Sequence, residues 1–288
     1  MADTFDQLVI LASDGDAAAQ CDLADIYYDV YDEHFNPEMA AKWYLKSAEK
    51  GNAEAQFQIA RMYSWGDGVE KSMDNSIRWY KAAIKQNHTD AMVDLATMYL
   101  YDTEVRKNKV QALKLLNKAS ELGNSSAQYF LGMIYIDGED AKTDYKLAKT
   151  YLEKSAEAGN PYAQFELAEM YYTGTGVKKS NKIAFKWYEK SAENGHALAQ
   201  YAVATMYLEG KGVKQSYKDA FKWMEESAEQ GIRNAQYDLA LMYHYGTGVK
   251  KSNKEAFKWM RFIVDDFFEE LDAFNDEFAE EEPEQEEE

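Results

Sequence analysis

The stretch that decides the fold of this chain lies between residues 163 and 195. Residues 163–177 read AQFELAEMYYTGTGV, and residues 184–195 read AFKWYEKSAENG. In both segments apolar residues recur every three or four positions, as they do on one face of a helix. The glycines between and after the segments mark a loop and a helix end. The stretch therefore predicts two consecutive helices, A and B, joined by a short loop.

The same pattern recurs along the chain with a period of 36 residues. On helix A, alanine recurs from Ala19 to Ala235, with an aliphatic residue four positions later and tyrosine eight positions later. On helix B, a small residue recurs from Ala40 to Ala256, and a large apolar residue follows three positions later. A single helix pair cannot bury its apolar faces alone, so neighbouring pairs must stack. We predict an all-α solenoid of seven repeats over residues 15–266, preceded by a capping helix over residues 1–14.

The helix boundaries carry their own chemistry. Residues that favour the N-cap precede the B helices from Asn36 to Ser252, and Pro37 fits the first helical position. Glycine, or Asn87 in one repeat, follows the B helix of repeats one to six and can take the left-handed conformation that ends it. A Gly-x-Gly loop joins A to B in repeats two, five, six and seven. Repeats one, three and four lack this loop, so we expect their turns to differ.

These motifs resemble those of a known repeat family. The pattern Ala-Gln-x-x-Leu-Ala-x-Met-Tyr-x-x-Gly-x-Gly-Val, followed by Ala-x-x-Trp-Tyr-x-x-Ser-Ala-Glu-x-Gly, is similar to the Sel-one-like repeat (SLR) family, a relative of tetratricopeptide repeats. The resemblance covers about residues 15–264 and departs from the pattern at Phe267, where glycine should end the last repeat. It implies a right-handed superhelix of antiparallel helix pairs and an adaptor or scaffold role in protein complexes. It does not identify the partner.

Composition and charge exclude several classes of function. The net charge is -19, and residues 265–288 contain 14 acidic residues and no Lys or Arg. Nucleic acids and anionic membranes are disfavoured as partners, because both attract clustered positive charge; a basic protein is allowed. No apolar run approaches the ~18 residues of a membrane span. The start of the chain lacks the basic region of a secretory signal, so we expect a cytoplasmic protein.

The sequence shows no catalytic, metal-binding or cofactor-binding pattern. The four histidines are not spaced as zinc ligands, and a single cysteine excludes a disulfide framework. Cys21 belongs to a column otherwise filled mainly by aromatic residues, so we expect a buried thiol. Gly174 to Ser180 lacks the glycine spacing and the preceding strand of a phosphate-binding loop. We therefore expect a non-enzymatic protein without a cofactor, and a hydrolase is a minor alternative.

The variable columns of helix A are the candidates for partner binding. Positions 54, 58, 61 and 65 are spaced i, i+4, i+7 and i+11, which places them on one helix face. In solenoids of the resembled class the A helices line the concave surface, so we predict a groove with acidic stretches and exposed apolar anchors. The predicted partner-binding residues are Trp65, Tyr101, Phe130, Met133, Tyr162 and Tyr245, together with Arg61, Asp94 and Glu166. The alternative is that some of them pack against the neighbouring A helix.

The acidic C-terminal segment, residues 267–288, is a second candidate. Phe267, Leu271, Phe274 and Phe278 have helical spacing with acids between them, which predicts an amphipathic acidic helix followed by a disordered tail. The segment could cap the solenoid, attract a basic protein, or occupy the groove as an inhibitor. The leading hypothesis is a scaffold that binds a peptide or protein surface in its groove, including an inhibitor or immunity-type protein. A chaperone-like binder of basic proteins is the alternative. The sequence does not indicate the partner or the oligomeric state.

Overall fold

The computed structural model describes residues 4–138 and 142–262. These residues form fifteen helices and no strand, and the chain divides into two compact units, Met1–Asp144 and Tyr145–Glu288. Within each unit, consecutive helices pack against one another. The structure is therefore the all-α solenoid of helix-pair repeats that the sequence predicts.

The helices have nearly uniform lengths. Unit 1 contains α1 (Thr4–Ser13), α2 (Ala17–Tyr28), α3 (Pro37–Glu49), α4 (Ala53–Trp65), α5 (Met73–Lys85), α6 (Thr89–Tyr101), α7 (Lys109–Glu121) and α8 (Ser125–Asp137). Unit 2 contains α9 (Tyr145–Glu157), α10 (Pro161–Thr173), α11 (Asn181–Glu193), α12 (Ala197–Glu209), α13 (Tyr217–Glu229), α14 (Arg233–Tyr245) and α15 (253–262). The A helices are α2, α4, α6 and α8 in unit 1, and α10, α12 and α14 in unit 2. Helix α1 packs against α2 through Phe5, Leu8 and Val9.

Side-chain caps begin the helices where the sequence predicts them. Asn36 and Ser180 accept a hydrogen bond from the backbone N–H three residues later, at the starts of α3 and α11. Asn87 has the predicted left-handed conformation, with φ +63°. Two caps were not anticipated: the Nδ1 atoms of His88 and His196 accept from Ala91 N and Ala199 N at 3.2 Å. Two of the four histidines therefore serve as helix caps.

The turns after the A helices follow the sequence only in part. Helices α2 and α6 end at Asp29 and Asp102 in an extended conformation, which confirms the different turns expected in repeats one and three. Helix α8 instead ends at Gly138 with φ +73°, like the helices that carry Gly-x-Gly. A single glycine suffices to close a helix in this way. Residues 139–141 of the repeat-four turn lie outside the described residues, so the expectation of a different turn there stays a prediction.

The second glycine of the Gly-x-Gly loop has a packing reason. Gly68 has φ +65°, and a Cβ atom there would lie 2.2 Å from the carbonyl oxygen of Pro37, in the first turn of the preceding B helix. Only glycine permits this approach. The loop thereby rests on the previous repeat and fixes the spacing of neighbouring helix pairs.

A glutamine next to the core alanine of helix A joins consecutive repeats. In unit 2, Gln164 is 3% exposed. Its Nε2 donates to the carbonyl oxygen of Ala156 at 3.0 Å, and its Oε1 accepts from Asn194 Nδ2 at 2.9 Å. The first bond satisfies a carbonyl at the C-terminus of the preceding B helix, where intrahelical partners are lacking. The glutamine column is thus a polar connection within an otherwise apolar core.

Candidate functional site

The variable columns of the A helices form one surface in each unit, which we call the A face. It comprises positions 18, 22, 25 and 29 on α2 and the positions at multiples of 36 residues from them on the other A helices. In unit 1 the acidic members are Asp22, Asp25, Asp29, Glu54, Asp90, Asp94 and Asp137, and the basic member is Arg61. In unit 2 the acidic members are Glu166, Glu169, Glu209 and Asp238, and no position is basic. Both A faces are therefore acidic, although the repeats outside residues 265–288 are nearly balanced in charge.

Four of the predicted anchors lie on these faces with their aromatic rings in solvent. Trp65 is 61% exposed and Tyr101 is 57% exposed on unit 1. On unit 2, Tyr162 is 56% exposed and Tyr245 is 70% exposed. Such exposure of large aromatic side chains leaves apolar area available to a partner.

Phe130 and Met133 differ from this expectation, since both are half-buried rather than exposed. The ring of Phe130 lies 5.5 Å from that of Tyr129, on the same helix. Part of the apolar area of these two residues is already used inside unit 1. The alternative that some anchors pack against the neighbouring A helix stays a prediction, since the ring contact of Phe130 is with its own helix.

Arg61 is held on the unit 1 A face by aromatic rings. Its guanidinium carbon lies 4.6 Å from the ring centroid of Trp65 and 5.6 Å from that of Phe57. Within residues 4–138 and 142–262 no carboxylate lies within ion-pair distance of it. A cation over an aromatic face is attracted by the negative π surface. Unit 1 thus shows how this fold accommodates a guanidinium on its A face.

Buried tyrosines from the B helices support the carboxylates of the A faces. Tyr44 donates to Asp25, and Tyr80 donates to Asp94 Oδ2 at 3.1 Å. Burial raises the pKa of both carboxyl groups above their usual values, although the tyrosine hydrogen bonds act in the opposite direction. Burial therefore disfavours the charged forms of these acids more than the tyrosine hydrogen bonds favour them.

Glu54 has the opposite electrostatic setting. It accepts hydrogen bonds from His88 Nε2 at 3.1 Å and from Gln58 Nε2 at 2.7 Å. The His88 hydrogen bond is the main reason why the pKa of Glu54 lies below its usual value. Glu54 therefore keeps its negative charge on the A face across the physiological pH range.

The unit 2 A face contains a cavity of about 300 Å³. It lies between α10 and α12, and its aromatic lining comes from Phe165, Tyr172, Tyr188 and Tyr201. Glu169 also lines the cavity, where its carboxylate accepts a hydrogen bond from the Tyr188 hydroxyl. Burial and this carboxylate raise the pKa of Tyr188 above its ordinary value, so the hydroxyl keeps its proton. The arrangement is an aromatic pocket with one carboxylate.

The polar and basic groups around this cavity do not neutralise the Glu169 carboxylate. Tyr201 donates instead to Asp238 Oδ2 at 3.0 Å. The ring of His196 lies 4.8 Å from that of Phe165, and burial lowers the pKa of His196, which favours its neutral form. Within the part of the chain that the structure describes, no basic side chain forms an ion pair with Glu169.

Sequence reasoning missed the tyrosines of the B helices and the cavity they help to line. The column that contains Tyr44, Tyr80 and Tyr188 holds leucine or methionine in the other repeats. A tyrosine in a core column needs a partner for its hydroxyl when it is buried, and this was the available signal. Its partner could not be read from the sequence, because Tyr44 and Tyr188 reach the preceding A helix whereas Tyr80 reaches the following one.

A second opening on unit 2 surrounds Tyr245. A cavity of about 390 Å³ is lined by Leu241, Tyr245 and Phe257, among others. Phe257 is 74% exposed, since the described residues contain no following A helix to pack against α14 and α15. The predicted tail residues Phe267, Leu271, Phe274 and Phe278 lie outside the described residues.

The described residues form neither a metal-binding cluster nor a membrane-spanning helix. In the two described ranges no group of three or more His, Cys, Asp or Glu side chains could hold a metal ion. Among those residues, no helix combines the length and apolar character that crossing a membrane requires. Cys21 is buried as expected, and burial raises the pKa of its thiol to about 12.

The repeats identify the family. The Sel1 repeat matches residues 17–52, 53–88, 89–124, 125–160, 161–196, 197–232 and 233–262, so the chain belongs to the Sel1 repeat family. The Sel1 repeat is a protein-interaction fold, and its proteins are in general not enzymes. No curated protein matches the chain.

Several solved structures are similar to the chain. The crystal structure of c5321, a protective antigen present in uropathogenic Escherichia coli strains with an SLR fold, matches with 31% identity and a TM-score of 0.76 over 92% of this chain. The chain spans 56% of the length of that protein. A Sel1 repeat protein from Oxalobacter formigenes matches with 27% identity and a TM-score of 0.73, over 91% of this chain and 75% of the other. The immunity protein Pa5087 from Pseudomonas aeruginosa, at 21% identity and a TM-score of 0.52 over 74% of this chain and 81% of its own, shares the fold.

Proposed function

We propose that this protein is a non-enzymatic interaction scaffold that binds a protein or peptide with basic residues across its A faces, in a concave groove. The observation that carries the proposal is the combination of exposed aromatic rings with acidic side chains on the same helix faces. Trp65 and Tyr101 share the unit 1 A face with Asp90 and Asp94, and Tyr162 lies one helical turn before Glu166 on unit 2. An inhibitory, immunity-type role is one form of this proposal.

The aromatic and the acidic residues of the A faces have different roles in this proposal: the first supply affinity, and the second raise the association rate. Aromatic anchors at the centre of an interface typically cost more than about 1 kcal/mol each when truncated to alanine. Acidic residues around them raise the association rate with a basic partner and weaken as salt rises. A preformed helical surface loses little conformational entropy on binding, so a few anchors suffice for specific recognition.

The test is affinity capture from native lysate with three baits, read by mass spectrometry. The first bait is the whole chain, and the second carries Trp65→Ala and Tyr101→Ala. The third is a matched control with Tyr31→Ala and Val110→Ala, which are 95% and 76% exposed but lie off the A face. Circular dichroism confirms that all three are folded. We expect a partner retained by the control and lost with the A-face variant; equal capture by all three would contradict the proposal.

The acidic run at residues 265–288 favours a second candidate function, a chaperone-like binder of basic proteins. Its attraction would be mainly electrostatic and would fall steeply between low and high salt. A chain ending at Asp266 distinguishes the two functions. A partner lost with this shorter chain, and at high salt, but kept by the A-face variant would replace the scaffold proposal with the polyanion one.

A further inference from the structure

The cavity on the unit 2 A face has an internal counterpart in unit 1. Repeats one and two precede repeats five and six by four periods of 36 residues, so residues correspond across an interval of 144. Asp25 and Tyr44 correspond to Glu169 and Tyr188, and both pairs are joined by a hydrogen bond from the tyrosine hydroxyl to the carboxylate. The same polar element is therefore built twice.

The aromatic neighbours of this element are also repeated. Tyr28 and Tyr44 have ring centroids 6.4 Å apart at 74°, and Tyr172 and Tyr188 have centroids 6.2 Å apart at 66°. Phe57 occupies the position of Tyr201. Three of the four aromatic side chains that line the unit 2 cavity thus have aromatic equivalents in unit 1, whereas Phe165 corresponds to Cys21.

The two units differ at the A-face position that carries an arginine in unit 1. Unit 1 has Arg61 there, whereas unit 2 has Thr205. The guanidinium of Arg61 lies 5.6 Å from the ring centroid of Phe57. Burial and Asp67 raise the pKa of Tyr28 to about 12, and the charge of Arg61 is the smallest contribution and acts in the opposite direction. Unit 1 therefore places its own guanidinium against the aromatic set, and unit 2 presents a similar set without one.

The basic groups nearest to the cavity do not take this place. Lys179 and Lys211 have Nζ atoms 5.7 and 5.9 Å from the ring centroid of Tyr172, and neither lysine lines the cavity. Lys211 is already paired with Glu209 at 2.6 Å. The Glu169 carboxylate remains the charged group in the lining.

We propose that the unit 2 cavity binds an arginine side chain of a partner protein, with the guanidinium against the aromatic lining and the Glu169 carboxylate. This proposal rests on the function proposed above and names the chemistry that one part of the A face recognises. A planar guanidinium both stacks on aromatic faces and pairs with a carboxylate, whereas an ammonium is a more strongly hydrated point charge. The occupant is therefore an arginine rather than a lysine.

The test uses the whole chain with 13C-labelled methionine methyl groups. Met206 lines the cavity and is 2% exposed, and Met62 is its counterpart in unit 1. The probes are the N-methylamides of Nα-acetyl-arginine, Nα-acetyl-lysine and Nα-acetyl-citrulline, the last having the shape of arginine without its charge. Variants in which Met206 or Met62 is substituted assign the two signals.

We expect the arginine probe to shift the Met206 signal saturably while the Met62 signal stays in place. The citrulline probe should bind at least about tenfold more weakly, and Glu169→Gln should weaken arginine binding by about tenfold while keeping an acceptor for Tyr188. Thr205→Arg should abolish the response, because the chain then supplies its own guanidinium. Arg61→Thr should make the Met62 signal respond as well.

Two results would overturn the proposal: a Met206 signal that no probe shifts, or equal affinities for arginine and citrulline. Equal affinities for arginine and lysine would overturn the choice of arginine. Failure here is distinct from failure of the scaffold function. If the A-face variant loses a partner while Met206 does not respond, the scaffold stands and the arginine assignment is wrong. If Met206 responds while that variant keeps every partner, the arginine cavity stands and the scaffold function is wrong.

Discussion

The glutamine column permits a quantitative prediction about what joins the repeats of unit 2. The perturbation is Gln164→Met, compared with Gln236→Met in the same unit. Methionine is nearly isosteric with glutamine, and the same column already contains Met92, which is fully buried. The two glutamines differ in their hydrogen bonds. Both amide atoms of Gln164 have partners, whereas within the described residues the Oε1 atom of Gln236 has none and its Nε2 donates at 3.3 Å.

The magnitude follows from these bonds. Gln164→Met loses two hydrogen bonds at about 1 kcal/mol each. The exposed Asn194 amide can turn to water, and Ala156 O keeps a bond from Gly159 N at 3.1 Å, so no further desolvation penalty is added. Gln236→Met loses one long bond and removes a buried unpartnered oxygen, so it should be near neutral or stabilising by up to about 1 kcal/mol. The variants should therefore differ by about 2 to 3 kcal/mol in the free energy of unfolding.

The assay is urea unfolding followed by circular dichroism, with amide hydrogen exchange at residues 156–160 to localise the effect. We expect a lower urea midpoint and faster exchange for Gln164→Met, and neither change for Gln236→Met. Shifts that agree within about 0.5 kcal/mol would refute the reasoning, since the variants would then report side-chain volume rather than hydrogen bonding.

Three further predictions can be checked by unfolding measurements. Asp94→Asn should stabilise unit 1 at pH 7, because the pKa of Asp94 is raised in the folded protein and its ionised form therefore destabilises the fold. The advantage should vanish as the pH falls below about 4, where the carboxyl group is protonated in the folded and the unfolded state. A stability difference that does not change with pH would contradict this prediction. Gly212→Ala should lower the free energy of unfolding by several kcal/mol, since its Cβ would lie 2.3 Å from a main-chain oxygen of α11. Gly195→Ala, which has open space around it and φ +84°, should lower it by only about 1 kcal/mol. Equal losses of thermal stability would reject the steric argument. If residues 267–288 cap the solenoid, removing them should lower the melting temperature and increase dye binding near Phe257; unchanged melting would favour a tail that acts on partners instead.

Much of the architecture could be predicted from local patterns. The helix pairs, their caps and their glycine ends depend on contacts within a few residues, and the periodicity of 36 residues reveals them directly. The exposure of Trp65 and Tyr101 was also expected, because variable columns of an otherwise regular repeat face away from the core.

The sequence by itself therefore determined the all-α repeat fold, its register and the helix columns that face away from the core. Only the tertiary structure decided which of those residues remain available. Phe130 is half-buried, and the Tyr188 hydroxyl donates a hydrogen bond to the Glu169 carboxylate. Arg61 packs on the rings of Trp65 and Phe57, whereas the unit 2 A face contains a cavity. The physical reason is distance along the chain. Helical periodicity assigns a residue to a face, but the atoms it meets on the next helix depend on side-chain conformations and packing that no local pattern encodes.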